Sequence, residues 1–168
     1  RVKPARVLGL EEQASTVTSK DGTRIAFERS GSGPALVLVS AALSVRADTA
    51  RLGTLLSPHF TVIQYDRRGR GESGDTLPYA VEREVEDLEA LIDDAGGSAF
   101  LFGSSSGAVL ALEAASRLPA KVPKQALFEP PFVVDASRPP VPADAAAHVG
   151  ELVAGGRRGD AVAYFFTD

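Results

Sequence analysis

Residues 103–107 read Gly103-Ser104-Ser105-Ser106-Gly107, directly after the apolar run Ser98-Ala99-Phe100-Leu101-Phe102. An alanine-rich stretch of helical character follows, from about residue 106 to 118, and Pro119 closes it. A serine flanked by glycines two residues away on either side, at a strand-to-helix junction, is the pattern of a nucleophile elbow. Such a turn strains the backbone of its central residue. Side chains two positions before and after it would collide with the adjoining helix and strand, so both are glycine. The central residue is Ser105. Its hydroxyl is expected at the carboxyl edge of the sheet, where open α/β sheets bind ligands. The Ser106 N–H, at the helix N-terminus, is expected to face a developing oxyanion. Ser104 and the side chain of Ser106 read as small fillers.

Outward from the elbow, strand and helix signals alternate. Ser15–Ser19 and Arg24–Arg29 read as two strands joined by the turn residues Lys20-Asp21-Gly22-Thr23. Ala35–Val39 is apolar throughout, as expected of a strand covered on both faces. A helix is predicted over 46–57, a strand over 60–65 and a helix over 80–95. In that last helix Val81, Val85, Leu88, Leu91 and Ile92 recur at helical spacing with acids between them. The last clear strand is 124–128. This rhythm implies an α/β fold: a mostly parallel twisted sheet flanked by helices, with the opening hairpin as an antiparallel edge. From Pro130 a proline-rich linker intervenes, and 143–154 and 157–166 read as two helices outside the rhythm. The expected division is a lead-in over 1–14, a core over 15–135 and the beginning of a helical cap over 136–168.

Composition narrows the chemistry. With 168 residues, 44% hydrophobic, the chain can bury a core. Its net charge of −4 leaves no basic surplus for nucleic acid. There is no cysteine, which excludes disulfides, thiolate metal sites and a cysteine nucleophile. No apolar stretch approaches the roughly 18 residues of a membrane span, and no secretory signal is visible. The expectation is a cytoplasmic protein with no metal or organic cofactor, no nucleic-acid partner and no membrane.

The run Val62-Ile63-Gln64-Tyr65-Asp66-Arg67-Arg68-Gly69-Arg70-Gly71-Glu72-Ser73-Gly74, followed by the elbow, resembles the α/β-hydrolase superfamily in its serine branch. Both the D-x-R-G-x-G-x-S pattern and the elbow match, in the family's order. Phe128-Glu129-Pro130-Pro131 and Val134-Asp135 resemble the sixth-strand exit of actinobacterial-type members. The resemblance implies that the loop is structural: Asp66 and Arg68 hold it by side-chain-to-backbone hydrogen bonds, and Gly69 and Gly71 permit its path. An anion site at Arg67, Arg68 and Arg70 is the rival reading. The resemblance also implies a second oxyanion donor after the third strand. There Ser40-Ala41 stands where His-Gly is common, which puts the donor at Ala42, or at Leu43 if the alignment slips by one.

A serine needs a base, usually histidine, oriented by a carboxylate. His59 enters a strand at its amino end, the wrong edge for chemistry. His148 lies in the first helix after the linker, whereas the family histidine follows the eighth strand. Glu129 is the candidate acid, since some members use the residue after the sixth strand; Asp135 reads as a cap-hinge residue. The chain thus resembles the front part of a hydrolase core that needs roughly 250 residues. The histidine is expected from a C-terminal segment beyond residue 168 or from another chain. The leading expectation is attack of Ser105 on a small ester-like carbonyl substrate through an acyl-enzyme, with this chain alone inactive. The rivals are a catalytically silent binding or assembly module and a fold-related lyase or perhydrolase.

Overall fold

The computed structural model describes residues 14–135 and 141–167. All of the 1–14 lead-in except its last residue, and the linker prolines Pro139 and Pro140, lie outside the described residues. Contacts divide the chain into two units, Arg1–Pro131 and Phe132–Asp168, ahead of the boundary expected after residue 135.

The first unit is a six-stranded sheet in the order β1-β2-β4-β3-β5-β6. Its strands are β1 (Ser15–Thr18), β2 (Arg24–Ser30), β3 (Ala35–Val39), β4 (Thr61–Tyr65), β5 (Phe100–Ser104) and β6 (Gln125–Phe128). β1 pairs with β2, and β2 with β4, antiparallel; β4, β3, β5 and β6 run parallel. The helices between them are α1 (Ala50–Leu56), entered through a 3₁₀ turn at Arg46–Thr49, α2 (Val81–Asp94) and α3 (Ser106–Arg117). The fold is the mostly parallel sheet flanked by helices that the strand–helix rhythm implied, with the antiparallel edge where the hairpin residues placed it.

The strands that read as continuously apolar do so because alternate side chains serve opposite faces. Val37, Val39, Ile63, Tyr65 and Leu101 join the core under α2 and α3, with Val85, Leu88, Leu91 and Ile92 of α2. Leu36, Leu38 and Val62 form the other core, against Leu52 and Leu56 of α1 and Phe100 and Phe102 of β5. Ala108, Ala111 and Ala114 of α3 are fully buried, and their small side chains let that helix lie close on the sheet. β5 runs two residues past its predicted end. Gly103 and Ser104 are poor strand formers, yet Gly103 stands in register with Val39 and Ser104 with Phe128, so ladder pairing overrides propensity. All four β6 residues are exposed. In the second unit α4 (Ala145–Ala154) and α5 (Arg158–Thr167) pack on each other, with Leu152 and Ala161 buried. Among the described residues no helix is long and apolar enough to cross a membrane.

The loop after β4 is held by charge. Asp66 is buried and accepts the backbone N–H groups of Arg46 at 2.8 Å and Glu72 at 3.0 Å, besides the Arg46 guanidinium. A Cβ on Gly71, at φ 51°, would fall 2.2 Å from the Asp66 carboxylate, so only glycine lets the chain close on it. Gly69 turns the chain at φ 73°. Ser73 Oγ donates to the Asp66 carbonyl at 2.6 Å and accepts from Ala26 N–H at 2.9 Å, tying the loop to β2. Arg68 corrects the sequence expectation. Its principal partners are carboxylates: Asp87, bidentate at 2.8 and 2.7 Å, and Asp21 at 2.9 Å. Only its bond to the Arg83 carbonyl, 3.1 Å, reaches backbone. A guanidinium whose side chain is 1% exposed needs counter-charge, and α2 supplies it.

Two expectations follow. Asp87→Ala leaves the Arg68 charge buried with half its counter-charge, and should lower unfolding free energy by about 3 kcal/mol in urea titrations; a loss within the roughly 0.5 kcal/mol of an ordinary surface change would contradict this account. Acid should also act through this loop. Hydrogen bonding to Arg68 holds the Asp21 carboxyl well below its ordinary value of 3.8. Burial pushes Glu84 up, but Arg67 and the Tyr79 hydroxyl outweigh it and leave Glu84 below 4.5. Groups with depressed folded values contribute stability that is complete above the unfolded values and lost as pH falls through the folded ones. The urea midpoint should therefore hold down to about pH 4.5 and fall below it, less steeply in Glu84→Gln.

Candidate active site

Three residues other than glycine have positive φ among the described residues: Leu43 at 61°, Ser105 at 53° and Glu129 at 48°. Each lies just beyond the carboxyl end of one of three adjacent parallel strands, β3, β5 and β6. Left-handed backbone costs such residues of order 1 kcal/mol each, and strain of this kind gathers at functional sites. The strained positions therefore mark one edge of the sheet, the edge where ligands bind in open α/β folds.

Ser105 joins β5 to α3 directly, with φ 53° and ψ −121°. A Cβ on Gly103 would meet the Gly107 carbonyl oxygen at 2.4 Å and the Ala108 Cα at 2.6 Å. A Cβ on Gly107 would meet the Val39 carbonyl oxygen at 2.2 Å and that of Ser40 at 2.5 Å. The first glycine thus admits the helix and the second admits the end of β3. The Ser105 N–H donates to the Phe128 carbonyl at 2.9 Å, and its own carbonyl accepts from Ala108 at 2.9 Å. The bend is anchored on both sides.

The β3 exit lies beside it. Ser44 N–H donates to the Ala41 carbonyl at 3.4 Å, closing a turn whose third residue is Leu43. With φ 61° at that position, where glycine is usual, Leu43 accepts strain and exposes its side chain. The N–H groups of Ala42, Leu43 and Ser106 have no hydrogen-bond partner among the described residues. Ser106 is the first residue of α3, so its N–H has none within the helix.

The arginines that follow Asp66 are engaged internally. Arg67 pairs with Glu84 through Nε at 2.6 Å and Nη2 at 2.7 Å, and its Nη1 donates to Ser106 Oγ at 3.1 Å and the Ser40 carbonyl at 3.3 Å. Tyr79 donates its hydroxyl to Glu84 at 3.0 Å. Burial works against the Arg67 charge, but the Glu84 carboxylate raises its pKa above the ordinary arginine value. Arg70 donates to the carbonyls of Ala41 at 2.7 Å and Ser44 at 3.2 Å, holding the β3 exit turn. This distribution accounts for the arginine run as scaffold.

Glu129 is exposed and follows Phe128, whose carbonyl receives the Ser105 N–H. His59 is exposed between α1 and β4, at the amino end of that strand and so at the opposite edge from Ser105. His148 lies in the second unit, edge-on to Tyr164 with ring centroids 4.7 Å apart. Asp135 is exposed in that unit as well. No group of three or more acidic or histidine side chains is placed to hold a metal among the described residues.

Sequence reasoning missed Glu84, Asp87, Tyr79 and Arg46. A signal existed for the two acids. Glu84 and Asp87 fall four residues before Leu88 and Leu91, on the stripe of α2 that faces the core, and both are buried. Acids on an apolar stripe opposite an arginine-rich loop imply buried pairs. Arg46 gave no signal, because its partner Asp66 is twenty residues away on another element.

Comparison with known proteins agrees with this fold. The family model described as "Alpha/beta hydrolase family" matches residues 36–168. An alpha/beta hydrolase from Sphaerobacter thermophilus DSM 20745 is similar in structure, with a TM-score of 0.87 and 65% identity, covering 91% of this chain and 59% of that one. A thermophilic esterase from Thermogutta terrifontis superposes with a TM-score of 0.71 at 27% identity, over 87% of this chain and 54% of its own. The uncharacterised hydrolase YraK of Bacillus subtilis strain 168 is 33% identical over 113 residues, 65% of this chain and 42% of YraK. The chain therefore spans about half the length of the relatives it matches. With the family match running from Leu36 to the last residue, the chain belongs to the alpha/beta hydrolase family.

Proposed function

We propose that the protein is a serine hydrolase that cleaves ester-like carbonyl substrates through an acyl-enzyme. One observation carries the reading: Ser105 occupies a strained bend at the carboxyl end of β5, beside backbone N–H groups without partners. In this mechanism Ser105 Oγ attacks the carbonyl carbon and gives its proton to a histidine. The carbonyl oxygen takes the electron pair and is received by the N–H groups of Ser106 and Ala42. Collapse expels the alcohol, which leaves with the proton from the imidazolium. Water, deprotonated by the same histidine, then releases the acid and restores Ser105.

The base is assigned to a histidine outside residues 1–168, on the same polypeptide or another. The position of His59 at the amino edge supports this assignment. So does the length of the Sphaerobacter relative, of which this chain spans 59%. Glu129 is the proposed acid, on the strength of its left-handed backbone next to the residue that anchors the elbow. The ester class draws on the Thermogutta esterase. No step needs a metal or organic cofactor.

In the protein as its gene encodes it, a fluorophosphonate probe should add one phosphonyl group per chain, at Ser105, read by intact mass and peptide mapping. Ser105→Ala should abolish the adduct and lower hydrolysis of p-nitrophenyl esters by at least about 10,000-fold. His59→Asn should leave both unchanged. Absence of any adduct on Ser105 would instead assign the protein to a catalytically silent binding or assembly module.

A further inference from the structure

Arg67 touches the elbow yet has no part in the chemistry described above. Its side chain is 7% exposed and that of Glu84 is 6% exposed. Burying such a pair is seldom a net gain in stability over an apolar pair of the same volume. Arg68 and Asp87, on the next residue of the loop and one turn along α2, already join these two elements with the same bidentate geometry. A second pair is not needed to hold loop to helix.

Arg67 differs in where its remaining nitrogen reaches. Nε and Nη2 are taken by Glu84, whose Oε1 also accepts the Tyr79 hydroxyl. Nη1 then donates to Ser106 Oγ and to the Ser40 carbonyl. Ser106 carries one proposed oxyanion donor, and Ser40 lies two residues before the other, Ala42. The guanidinium is planar and its donors keep a fixed fork, so fixing two nitrogens on Glu84 fixes the third. A lysine could reach one of these acceptors but could not span all of them in one geometry.

We propose that Arg67 is a positioning residue: clamped by Glu84 and Tyr79, it sets the spacing between the exit of β3 and the first residue of α3, and so between the two N–H groups that receive the oxyanion. The proposal rests on the serine-hydrolase reading. Oxyanion donors act only when they lie near 3 Å from the charge as it forms, and misplacement by about 1 Å can cost 100-fold in rate. A strut between their parent segments therefore affects the chemical step more than substrate binding.

The test compares Arg67→Lys, Ser106→Ala and Asp87→Asn in the protein as its gene encodes it. kcat and KM are measured with p-nitrophenyl butyrate, the rate of fluorophosphonate labelling at Ser105 is followed, and folding is checked by circular dichroism. Ser106→Ala removes one oxygen and keeps the backbone N–H, so it reports even where an Arg67 variant fails to fold. Arg67→Lys and Ser106→Ala should each lower kcat and the labelling rate by about 10- to 100-fold, with KM within about twofold. Asp87→Asn should lower stability and leave kcat of the folded protein unchanged. Wild-type kcat in Ser106→Ala or in folded Arg67→Lys would overturn the proposal, as would an equal loss of kcat in Asp87→Asn. If the wild-type protein neither hydrolyses the ester nor takes the label, the serine-hydrolase reading fails and this proposal with it; normal wild-type activity with unaffected variants sinks the proposal alone.

Discussion

The bend at Ser105 depends on a backbone approach too close for any side chain. α3 comes down on Gly103, and the end of β3 comes down on Gly107, each within a distance that excludes a Cβ. Only with both glycines can the chain leave a central strand and enter a helix at a single residue. That residue then takes φ 53°, and its N–H is spent on β6 rather than on the helix. The strain is sustained because strands on both sides of β5 hold the corner, β3 through packing and β6 through a hydrogen bond. The corner leaves Ser105 half-buried at the carboxyl end of the parallel strands.

Around that corner the structure uses charge where an ordinary core would use hydrocarbon. Arg46 with Asp66, Arg67 with Glu84, and Arg68 with Asp87 and Asp21 form three sets of ion pairs within one loop and its neighbours. Hydrophobic contacts are non-directional, whereas a forked guanidinium on a carboxylate defines both distance and plane. A loop that must follow one path past the ends of β3 and β5 gains from that directionality. The same feature makes the loop sensitive to acid, since Asp21 and Glu84 serve only as anions.

The fold was legible because its signals are local. Apolar runs bounded by glycine and proline located β3 and β4, and helical spacing located α2 to within a residue at each end. The carboxyl end of β5 was not, because Gly103 and Ser104 are strand residues only by virtue of their neighbours in the ladder. Of the candidate site, the elbow residues could be read from spacing alone, since steric exclusion acts within five residues. The Arg67–Glu84–Tyr79 cluster and the Arg46–Asp66 pair join residues from separate elements, and no local pattern encodes the distance between them. The left-handed backbone at Leu43 and Glu129 was equally hidden, because neither residue type advertises it.

On the proposed reading, the bend at Ser105 puts its oxygen beneath amide hydrogens from two neighbouring segments. A crystal structure of the protein after reaction with a fluorophosphonate tests it most directly. The account requires a phosphorus–Oγ bond at Ser105, with the phosphoryl oxygen about 2.7–3.1 Å from the N–H of Ser106 and from that of Ala42 or Leu43. A phosphoryl oxygen turned away from both segments, or an adduct on any other side chain, would contradict it.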